Sequence, residues 1–186
     1  TGEVMAIDRT FEAALGKAVR SLEFGSRSLL WEDPQWKDID PLEYVDVPTD
    51  ERLWIVMAAL RRGATVDQLA RRSGIDHWFL DKLEGIVRME KRLLAEPLTP
   101  HLLLDAKRMG FSDADIGTLG DRLPEQVRAL RQEWGVLPVY KTVDTCAAEF
   151  AAETPYHYSS YDEETEVAPS NKRKVLILGS GPNRIG

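Results

Sequence analysis

The sequence predicts a mainly α-helical fold with short extended segments towards its two ends. Between residues 49 and 134, apolar residues recur every three or four positions, which is the spacing of one helix face. Residues typical of helix N-caps, and glycines typical of helix ends, interrupt this stretch at short intervals. After Pro138, apolar and polar residues alternate, as they do in strands.

The composition is that of an ordinary globular chain. The 186 residues are 43% hydrophobic and 30% charged, with 24 Lys and Arg against 31 Asp and Glu and a net charge of −7. A chain of this length buries about 70% of the surface that its unfolded form exposes. The excess of acid argues against non-specific nucleic-acid binding, which depends on Lys and Arg at phosphates. We therefore expect no nucleic-acid partner.

The residue types also limit the metal, membrane and compartment classes. A single cysteine, Cys146, and three widely separated histidines leave no zinc-ligand spacing, and one cysteine favours a reducing compartment. No apolar run approaches the roughly 20 residues needed to span a bilayer. We therefore expect no metal site and no membrane contact, and a location in the cytoplasm or inside an organelle.

The N-terminal part of the chain predicts a helix followed by an irregular arm. Residues 10–23 place apolar side chains at helical spacing, with Thr10 as N-cap and Gly25 beyond the end. Residues 26–48 contain three prolines, with aromatic residues between them that we expect to anchor the arm on a surface: Trp31, Trp36 and Tyr44.

Six helices are predicted after the arm. The first runs from Thr49 to Gly63 with Leu53, Val56 and Leu60 on one face, and the second begins at a Thr65–Gln68 capping box and ends at Gly74. The third is capped by Asp76, and its recurring apolar residues are Phe79, Leu80, Leu83, Val87 and Leu94. The others run from Thr99-Pro100 to Gly110, from Ser112 to Leu119 and from Pro124 to Trp134.

Two stretches of this helical region resemble each other. Residues 70–83 align with residues 106–119 at an offset of 36, and the alignment matches Gly74 with Gly110 and Leu80 with Ile116. The match predicts two similar helix–Gly–helix units, although shared capping chemistry in short helical hairpins explains it equally well. Two copies are too few for a solenoid, which needs about three or more repeats.

Past the helices, residues 139–144 and 156–161 predict short extended segments. An acidic run at 162–166 and a basic cluster at 172–174 predict a solvated connector, with a domain boundary between about 153 and 172. Residues 175–178 form an apolar run that predicts a strand before a glycine turn. Since the chain has no initiator Met and stops just after this turn, we expect it to be a piece of a longer protein.

Residues 65–84 match a helix-turn-helix pattern, with Ala70, Gly74 and Leu80 at the expected steps. A DNA-reading helix needs Arg, Lys, Asn or Gln near its base-facing end. This one offers Asp76, Asp81 and Glu84 against Lys82, together with Trp78 and Phe79. The pattern therefore favours a plain helical hairpin, and a helix-turn-helix regulatory or DNA-binding module is the alternative.

A glycine loop follows the predicted strand at residues 175–178. Its candidate phosphate-binding or passage-lining residues are Gly179, Gly181, Pro182, Asn183, Arg184 and Gly186. Two glycines let backbone N–H groups approach an anion, but Arg184 stands where the dinucleotide pattern needs its third glycine. A tight strand-to-helix turn is the other explanation. Glu3, a carboxylate beside a glycine, is a further candidate.

At these residues the chain resembles the large chain of carbamoyl-phosphate synthase. The resemblance is carried, in the family's order, by TGEVMAI at 1–7, RTFEAALGKAVRSLE at 9–23, ERLW at 51–54, IDHWFLDKLEGIV at 75–87, PVYKTVDTCAAEF at 138–150, YSSYDEE at 158–164 and LILGSGPNRIG at 176–186. The VDTCAAEF and GPNRIG runs are highly specific to it. The Trp31–Tyr44 segment departs from the family's usual pattern.

The resemblance implies a domain organisation. The family's large chain has two ATP-grasp synthetase halves separated by a helical oligomerisation domain. Residues 1–25 are then similar to the end of the first ATP-grasp unit, 26–48 to a linking arm and 49–152 to the oligomerisation domain. Residues 153–186 correspond to a connector with the first strand and glycine turn of the second half. The implied fold class is a helical oligomerisation domain flanked by short α/β pieces of the adjoining halves.

The resemblance also implies a function for the parent enzyme, an ATP-dependent, glutamine-hydrolysing ligase. It makes carbamoyl phosphate from bicarbonate, ammonia that a glutaminase small chain draws from glutamine, and two ATP, for pyrimidine and arginine biosynthesis. The cofactors implied are ATP with magnesium or manganese, and potassium as a candidate further ion. Carbamate passes from one half to the other through an internal passage, for which Glu3 and the 179–186 loop are candidate lining residues.

The stretch itself is expected to hold no catalytic or metal-binding residue and no cofactor, since the nucleotide-binding carboxylates of both halves lie elsewhere. Its expected role is to join and space the two halves and to mediate homo-oligomerisation. The expected partners are the rest of the large chain, the small chain and further copies.

Overall fold

The computed structural model describes residues 3–22, 25, 27–151, 153–176 and 184–185. Within these residues the chain is mainly helical, which confirms the predicted fold class. The α-helices are α1 Phe11–Ser21, α2 Arg52–Arg61, α3 Val66–Ser73, α4 His77–Ala95, α5 Pro100–Arg108, α6 Asp113–Leu119 and α7 Pro124–Glu133. Two 3-10 helices, Pro34–Asp38 and Pro41–Tyr44, lie in the arm. The strands are β1 Glu3–Val4, β2 Val139–Thr142, β3 His157–Ser160 and β4 Arg184–Ile185.

The predicted helix caps are present as hydrogen bonds. Thr10, Asp76 and Thr99 each accept a backbone N–H of the first helical turn through the side chain. The Thr65–Gln68 capping box has both of its bonds, and Gly74 ends α3 in the left-handed region. Because each cap satisfies backbone groups that the helix cannot pair itself, the cap residues fix the ends of these helices.

Helix α2 lies at the centre and is buried on more than the predicted face. Val56, Met57 and Leu60 pack into the main core with α3 and α4, while Trp54 and Ala58 pack into a second core. The arm supplies Trp36 to that second core, and the Trp31 ring lies edge-on to both Trp36 and Trp54, with centroids 5.3 and 6.0 Å away.

The structure therefore confirms the arm as an irregular segment anchored by tryptophans, with one correction. Tyr44 is exposed, so it does not anchor the arm. The neighbouring Val45 and Pro41 are fully buried instead. The pattern of aromatic residues between prolines does not show which of these residues are buried. Their burial depends on which way each short 3-10 turn faces the bundle.

The longest helix, α4, also differs from its predicted face. Leu80, Leu83 and Val87 are buried as predicted, but Phe79 and Leu94 are exposed. Phe79 lies in the first turn and Leu94 in the last, and because Leu80 and Leu93 of the same turns are buried, these turns are covered on one side only. Glu90, which the apolar spacing did not include, is 96% buried because Arg61 pairs with it.

The two similar helix–Gly–helix units are present. They comprise α3 and α4 joined around Gly74, and α5 and α6 joined around Gly110. Both glycines have positive φ, 70° and 89°. Leu80 and Ile116, which the alignment matched, are both completely buried. The shared pattern thus corresponds to shared turn geometry and shared core positions.

Two antiparallel strand pairs complete the described part of the chain. β2 pairs with β3, with Val139 opposite Ser160 and Thr142 opposite His157, which confirms both extended segments. β1 pairs with β4. The prediction of a strand at 175–178 is wrong for residues 175 and 176, which are the part of that range that the structure describes. Residues 174–176 are irregular, and Val175 and Leu176 are highly exposed. Residues 177 and 178 lie outside the described residues.

Gly110 lets α1 dock against the turn between α5 and α6. A Cβ atom built on Gly110 would lie 2.7 Å from the Ala13 Cα, which is too close for any side chain. From the same helix, Arg20 donates a hydrogen bond from Nη1 to the Gly110 carbonyl at 2.8 Å. The close approach of the two backbones therefore sets the position of α1 on the bundle.

We predict that Gly110→Ala destabilises the chain more than Gly74→Ala does. Both substitutions force alanine into a positive-φ conformation, at a cost of about 1–2 kcal/mol. A Cβ on Gly74 would meet open space, whereas a Cβ on Gly110 clashes with α1 and adds about 1–3 kcal/mol. Urea unfolding of both variants measures the difference. Equal losses would show that the contact with α1 is not tight.

Candidate interdomain junction and oligomerisation surface

The structure brings the candidate residues at the two ends of the chain together. Glu3 lies opposite Ile185, and Val4 opposite Arg184, across the antiparallel β1–β4 pair. The backbones of Glu3 and Arg184 are therefore neighbours, although the sequence places them at opposite ends. Gly179, Gly181, Pro182, Asn183 and Gly186 lie outside the described residues. Their roles, and that of Glu3, stay predictions.

A partly buried charge pair joins the N-terminal segment to the strand pair β2–β3. Lys17 of α1 lies 2.7 Å from Asp8, whose side chain is almost buried. The Lys17 ammonium also donates to the carbonyls of Ile7 and Ser159, and the Ser160 hydroxyl donates to Asp8 at 3.0 Å. One lysine thus holds together residues that are more than 140 positions apart.

The connector after β3 is largely exposed, but it is not detached from the fold. The Glu166 carboxylate accepts the Thr142 backbone N–H at 2.8 Å and pairs with Lys141 at 3.2 Å. Together these two contacts lower the pKa of Glu166. Asp162 pairs with Arg9 at 3.2 Å, which joins the connector to the N-terminal segment. The connector therefore folds back onto β2 before it leaves the described residues.

A second charge cluster joins three helices to the connector. Asp113 of α6 pairs with Lys107 of α5 at 2.9 Å and with Arg131 of α7 at 3.1 Å. Both cations lie near the Tyr161 ring, at 5.1 and 6.0 Å from its centroid. Burial lowers the pKa of Lys107 despite its carboxylate partner. Burial acts to raise the pKa of Asp113, but hydrogen bonds and charge from Lys107 and Arg131 outweigh it and lower that pKa.

An open groove of about 900 Å³ lies between the N-terminal segment, α1 and the β2–β3 pair. Its wall includes Met5 and Tyr156, which are exposed apolar residues, and Lys17 and Arg20. Further exposed apolar side chains occur in the same two stretches of chain, before α1 and after α7: Leu137, Tyr140, Phe150, Val175 and Leu176. Exposed apolar residues are therefore frequent in the part of the chain after α7.

A smaller set of exposed apolar side chains lies on the helices and the arm. It comprises Tyr44, Val47, Trp78, Phe79, Leu94 and Leu123. Trp78 and Phe79 contact Phe11 of α1 edge-on, at centroid distances of 5.4 and 5.5 Å. Leu94 lines a separate groove between α4, α6 and the turn before α7.

The two helices of the predicted helix-turn-helix pattern are α3 and α4, joined at Gly74, but the first turn of α4 is unsuited to reading DNA. Asp76 caps that turn, and His77 pairs with Asp67 at 3.1 Å. Trp78 and Phe79 are partly covered by α1. Since no base-reading Arg, Lys, Asn or Gln lies in the first turn of α4, the pair acts as a packed hairpin.

Among the described residues, no helix is long and apolar enough to cross a membrane. No group of three or more His, Cys, Asp or Glu among them is arranged to hold a metal ion.

The chain has helices packed around α2, an N-terminal segment joined to the connector, and exposed apolar surfaces. Together these features define a helical association module. Residues 3–135 match the family model described as "Carbamoyl-phosphate synthetase large chain, oligomerisation domain". The chain therefore belongs to this family. The match includes α1 and the arm as well as the helices α2–α7, and it gives no support to the DNA-binding alternative.

Curated proteins that match along the whole of this chain are also large chains of this family. The chain is similar to the carbamoyl phosphate synthase large chains of Thermomicrobium roseum (54% identical), Methanothrix thermoacetophila (50%) and Kineococcus radiotolerans (50%). Each alignment covers 100% of this chain and 17% of the relative. The chain thus spans about a sixth of the length of the curated relatives that it matches.

We predict that Asp113→Asn lowers the free energy of unfolding at pH 7 by about 2 kcal/mol, because it removes charged hydrogen bonds to Lys107 and Arg131. Since the folded-state pKa of Asp113 lies below its ordinary value of 3.8, its carboxylate stabilises the fold above about pH 4. That contribution is lost as the pH falls through the folded-state pKa. The difference between wild type and variant should therefore shrink below about pH 4.

Urea unfolding at pH 7, 5, 4 and 3 measures this difference. Asp81→Asn is the matched control, because Asp81 is exposed and has no ion pair among the described residues. Its effect should be small at every pH. A wild-type to Asp113→Asn difference that stays constant down to pH 3 would contradict the assignment.

Proposed function

We propose that this chain is the central piece of a carbamoyl phosphate synthase large chain, where it joins and spaces the two synthetase halves and mediates homo-oligomerisation. The observation that carries the proposal is the family match at residues 3–135, together with relatives about 50% identical along the whole chain. The proposed division places 1–25 in the first half, 26–48 in the arm, 49–152 in the oligomerisation domain and 153–186 in the entry to the second half.

The whole protein is then an ATP-dependent ligase of the cytoplasm that contains two ATP-grasp units. It makes carbamoyl phosphate from bicarbonate, ammonia and two ATP, with magnesium or manganese and a partner small chain that releases ammonia from glutamine. The product serves pyrimidine and arginine biosynthesis. Its unstable intermediates need protection from water between the two halves, which is the physical reason for an internal passage.

The junction geometry supports the role of joining the halves. β1 lies in the stretch assigned to the first half and β4 in the stretch assigned to the second, and the two strands are paired. Lys17 and Asp8 of the first stretch add hydrogen bonds to Ser159 and Ser160 of the second. The chain would therefore leave the first half and enter the second half at neighbouring points. Glu3 and the 179–186 loop are the candidate passage residues.

The exposed apolar residues support two different partners. Met5, Tyr156, Val175 and Leu176 lie in the stretches assigned to the synthetase halves, so we assign their cover to the rest of the large chain. Those on the helical body, such as Leu94 and Leu123, lie inside the stretch assigned to oligomerisation. We assign their cover to another copy of the protein.

Sedimentation equilibrium of the chain over a range of concentrations tests the oligomerisation role. We expect reversible self-association. Titration calorimetry with magnesium and ATP on the same sample should show no binding, because the nucleotide-binding carboxylates are assigned to regions outside this chain.

Two results would contradict the proposal. A strict monomer at every concentration would remove the oligomerisation role and leave only that of a spacer within one chain. Measurable ATP binding would show that part of the nucleotide site lies within these residues. An unfolded sample is detected by circular dichroism before either result is interpreted.

A further inference from the structure

A small β unit follows the helical body, and its described residues are 139–151 and 153–166. The strands β2 and β3 pair with each other, and the chain then folds back along the other edge of β2. There the Glu166 backbone N–H donates to a β2 carbonyl at 2.8 Å. The nearly buried Lys141 ammonium pairs with both Glu166 and Asp162. The unit therefore keeps its shape through internal bonds, and we call it the flap.

The inner face of the flap is mainly polar. Alternation along the two strands places four buried or half-buried residues on that face: Val139, Lys141, Tyr158 and Ser160. The Ser160 hydroxyl donates to Asp8 at 3.0 Å, and the Tyr158 ring centroid lies 5.6 Å from the Lys17 ammonium. Among the described residues, no helix packs extensively on β2 or β3. Since little apolar surface is buried at this face, the hydrophobic contribution to holding the flap in place is small.

Tyr161 fixes the flap to the helical body. It packs against the main core, and its ring centroid lies 5.1 Å from the Lys107 ammonium and 6.0 Å from the Arg131 guanidinium. Both cations pair with Asp113 and are largely buried. Arg108 donates from Nε to the Tyr161 carbonyl at 3.0 Å. One residue of the flap thus contacts side chains of both α5 and α7.

The link between the helical body and the flap is short and exposed. Val136, just after α7, is buried in the main core, and β2 begins at Val139. Between them, Leu137 is 54% exposed, and Pro138 has no backbone N–H to join a strand ladder. Two residues therefore separate a fixed point of the body from the flap. Changes of φ and ψ at such a link move the attached unit as one piece.

The remaining attachment of the flap is polar and partly exposed. Arg9 pairs with Asp162 at 3.2 Å, and the Arg9 side chain is 60% exposed. Lys17 donates to the Ser159 carbonyl. Exposed ion pairs stabilise a fold only weakly and are screened by salt. A unit held by one ring and by such pairs belongs to the low-stability part of a fold, which opens without unfolding of the core.

We propose that the flap is hinged at Leu137 and Pro138, that it opens from the helical body while the helices stay folded, and that Tyr161 is the positioning residue that keeps it closed. The inference rests on the proposed role of joining the two halves, and it gives that joint a closed and an open state. The closed flap ties the N-terminal segment to the connector. Opening releases this tie and widens the groove of about 900 Å³, because the flap forms one of its walls.

Pulsed dipolar electron spin resonance measures the opening as a distance. The chain has one cysteine, Cys146, which lies on the flap between β2 and β3. Lys91→Cys adds a second at an exposed position of α4, so a pair of nitroxide labels reports the distance from the flap to the body. An excess of unlabelled chain removes distances between copies. The closed distance should dominate in the otherwise unchanged chain.

Tyr161→Ala should raise the share of a second, longer distance about threefold or more, because it removes the ring from the two cations. Tyr140→Ala is the matched control, since Tyr140 is exposed on the outer side of the same flap. It should leave the distances unchanged.

A second pair of variants tests the latch at exposed positions, where a folding defect is not expected. Arg108→Ala removes the donor to the Tyr161 carbonyl and should also increase the longer distance. Arg128→Ala, at an exposed position of α7, should not. Sodium chloride at about 1 M, where the Debye length is about 3 Å, should increase the longer distance without any substitution.

Circular dichroism of each sample shows whether the helices remain folded. If Tyr161→Ala and Arg108→Ala keep the closed distance at full helix content, the flap is not hinged and the inference is wrong. A longer distance that appears only with loss of helix signal would place the flap in the cooperative core, which also overturns it. An equal effect of Tyr140→Ala would remove the latch role from Tyr161. Self-association and ATP binding are measured separately, so failure here leaves the proposed function standing.

Discussion

The central constraint on this fold is the burial of α2 on two sides. Its apolar residues supply two cores, and its last turn places the Arg61 guanidinium in the interior. A buried charge is tolerated only when it is paired and hydrogen-bonded. The Arg61 guanidinium donates to both carboxylate oxygens of Glu90 in α4, at 2.7 and 2.8 Å. It also donates to the Leu29 carbonyl and to the Glu32 carboxylate of the arm.

Arg61 is one of several arginines that connect the helices to the arm, together with Arg62 and Arg72. Because Arg61 takes partners from α4 and from residues 29–32, the arm has to lie along α2 for the charge to be satisfied. The arm then covers Trp54, whose indole N–H donates to the Ser28 carbonyl at 2.7 Å. Trp31 and Trp36 complete the second core. An irregular, proline-rich segment is thus held by hydrogen bonds from Arg61 and Arg62 and by the packing of three indole rings.

Local features of the fold were predictable from sequence, and features set by distant partners were not. Capping residues such as Thr65 and Asp76 act within a few positions, so they identified the helix ends directly. The burial of Glu90 depends on Arg61, 29 residues away, and no periodic pattern contains that partner. The pairing of Glu3 with Ile185 spans nearly the whole chain, so the sequence identified the candidates but not their proximity.

The exposed ends of α4 show why departures from a predicted core are informative. Spacing alone assigned Phe79 and Leu94 to the buried face, yet both are exposed, while Leu80 and Leu93 in the same two turns are buried. Phe79 still contacts Phe11 of α1 edge-on. Leu94 lines the groove at the end of α4, and Leu123 is exposed on the turn before α7. Because burial in an interface removes apolar surface from water, exposed leucines on two elements of the helical body support the proposed association of copies.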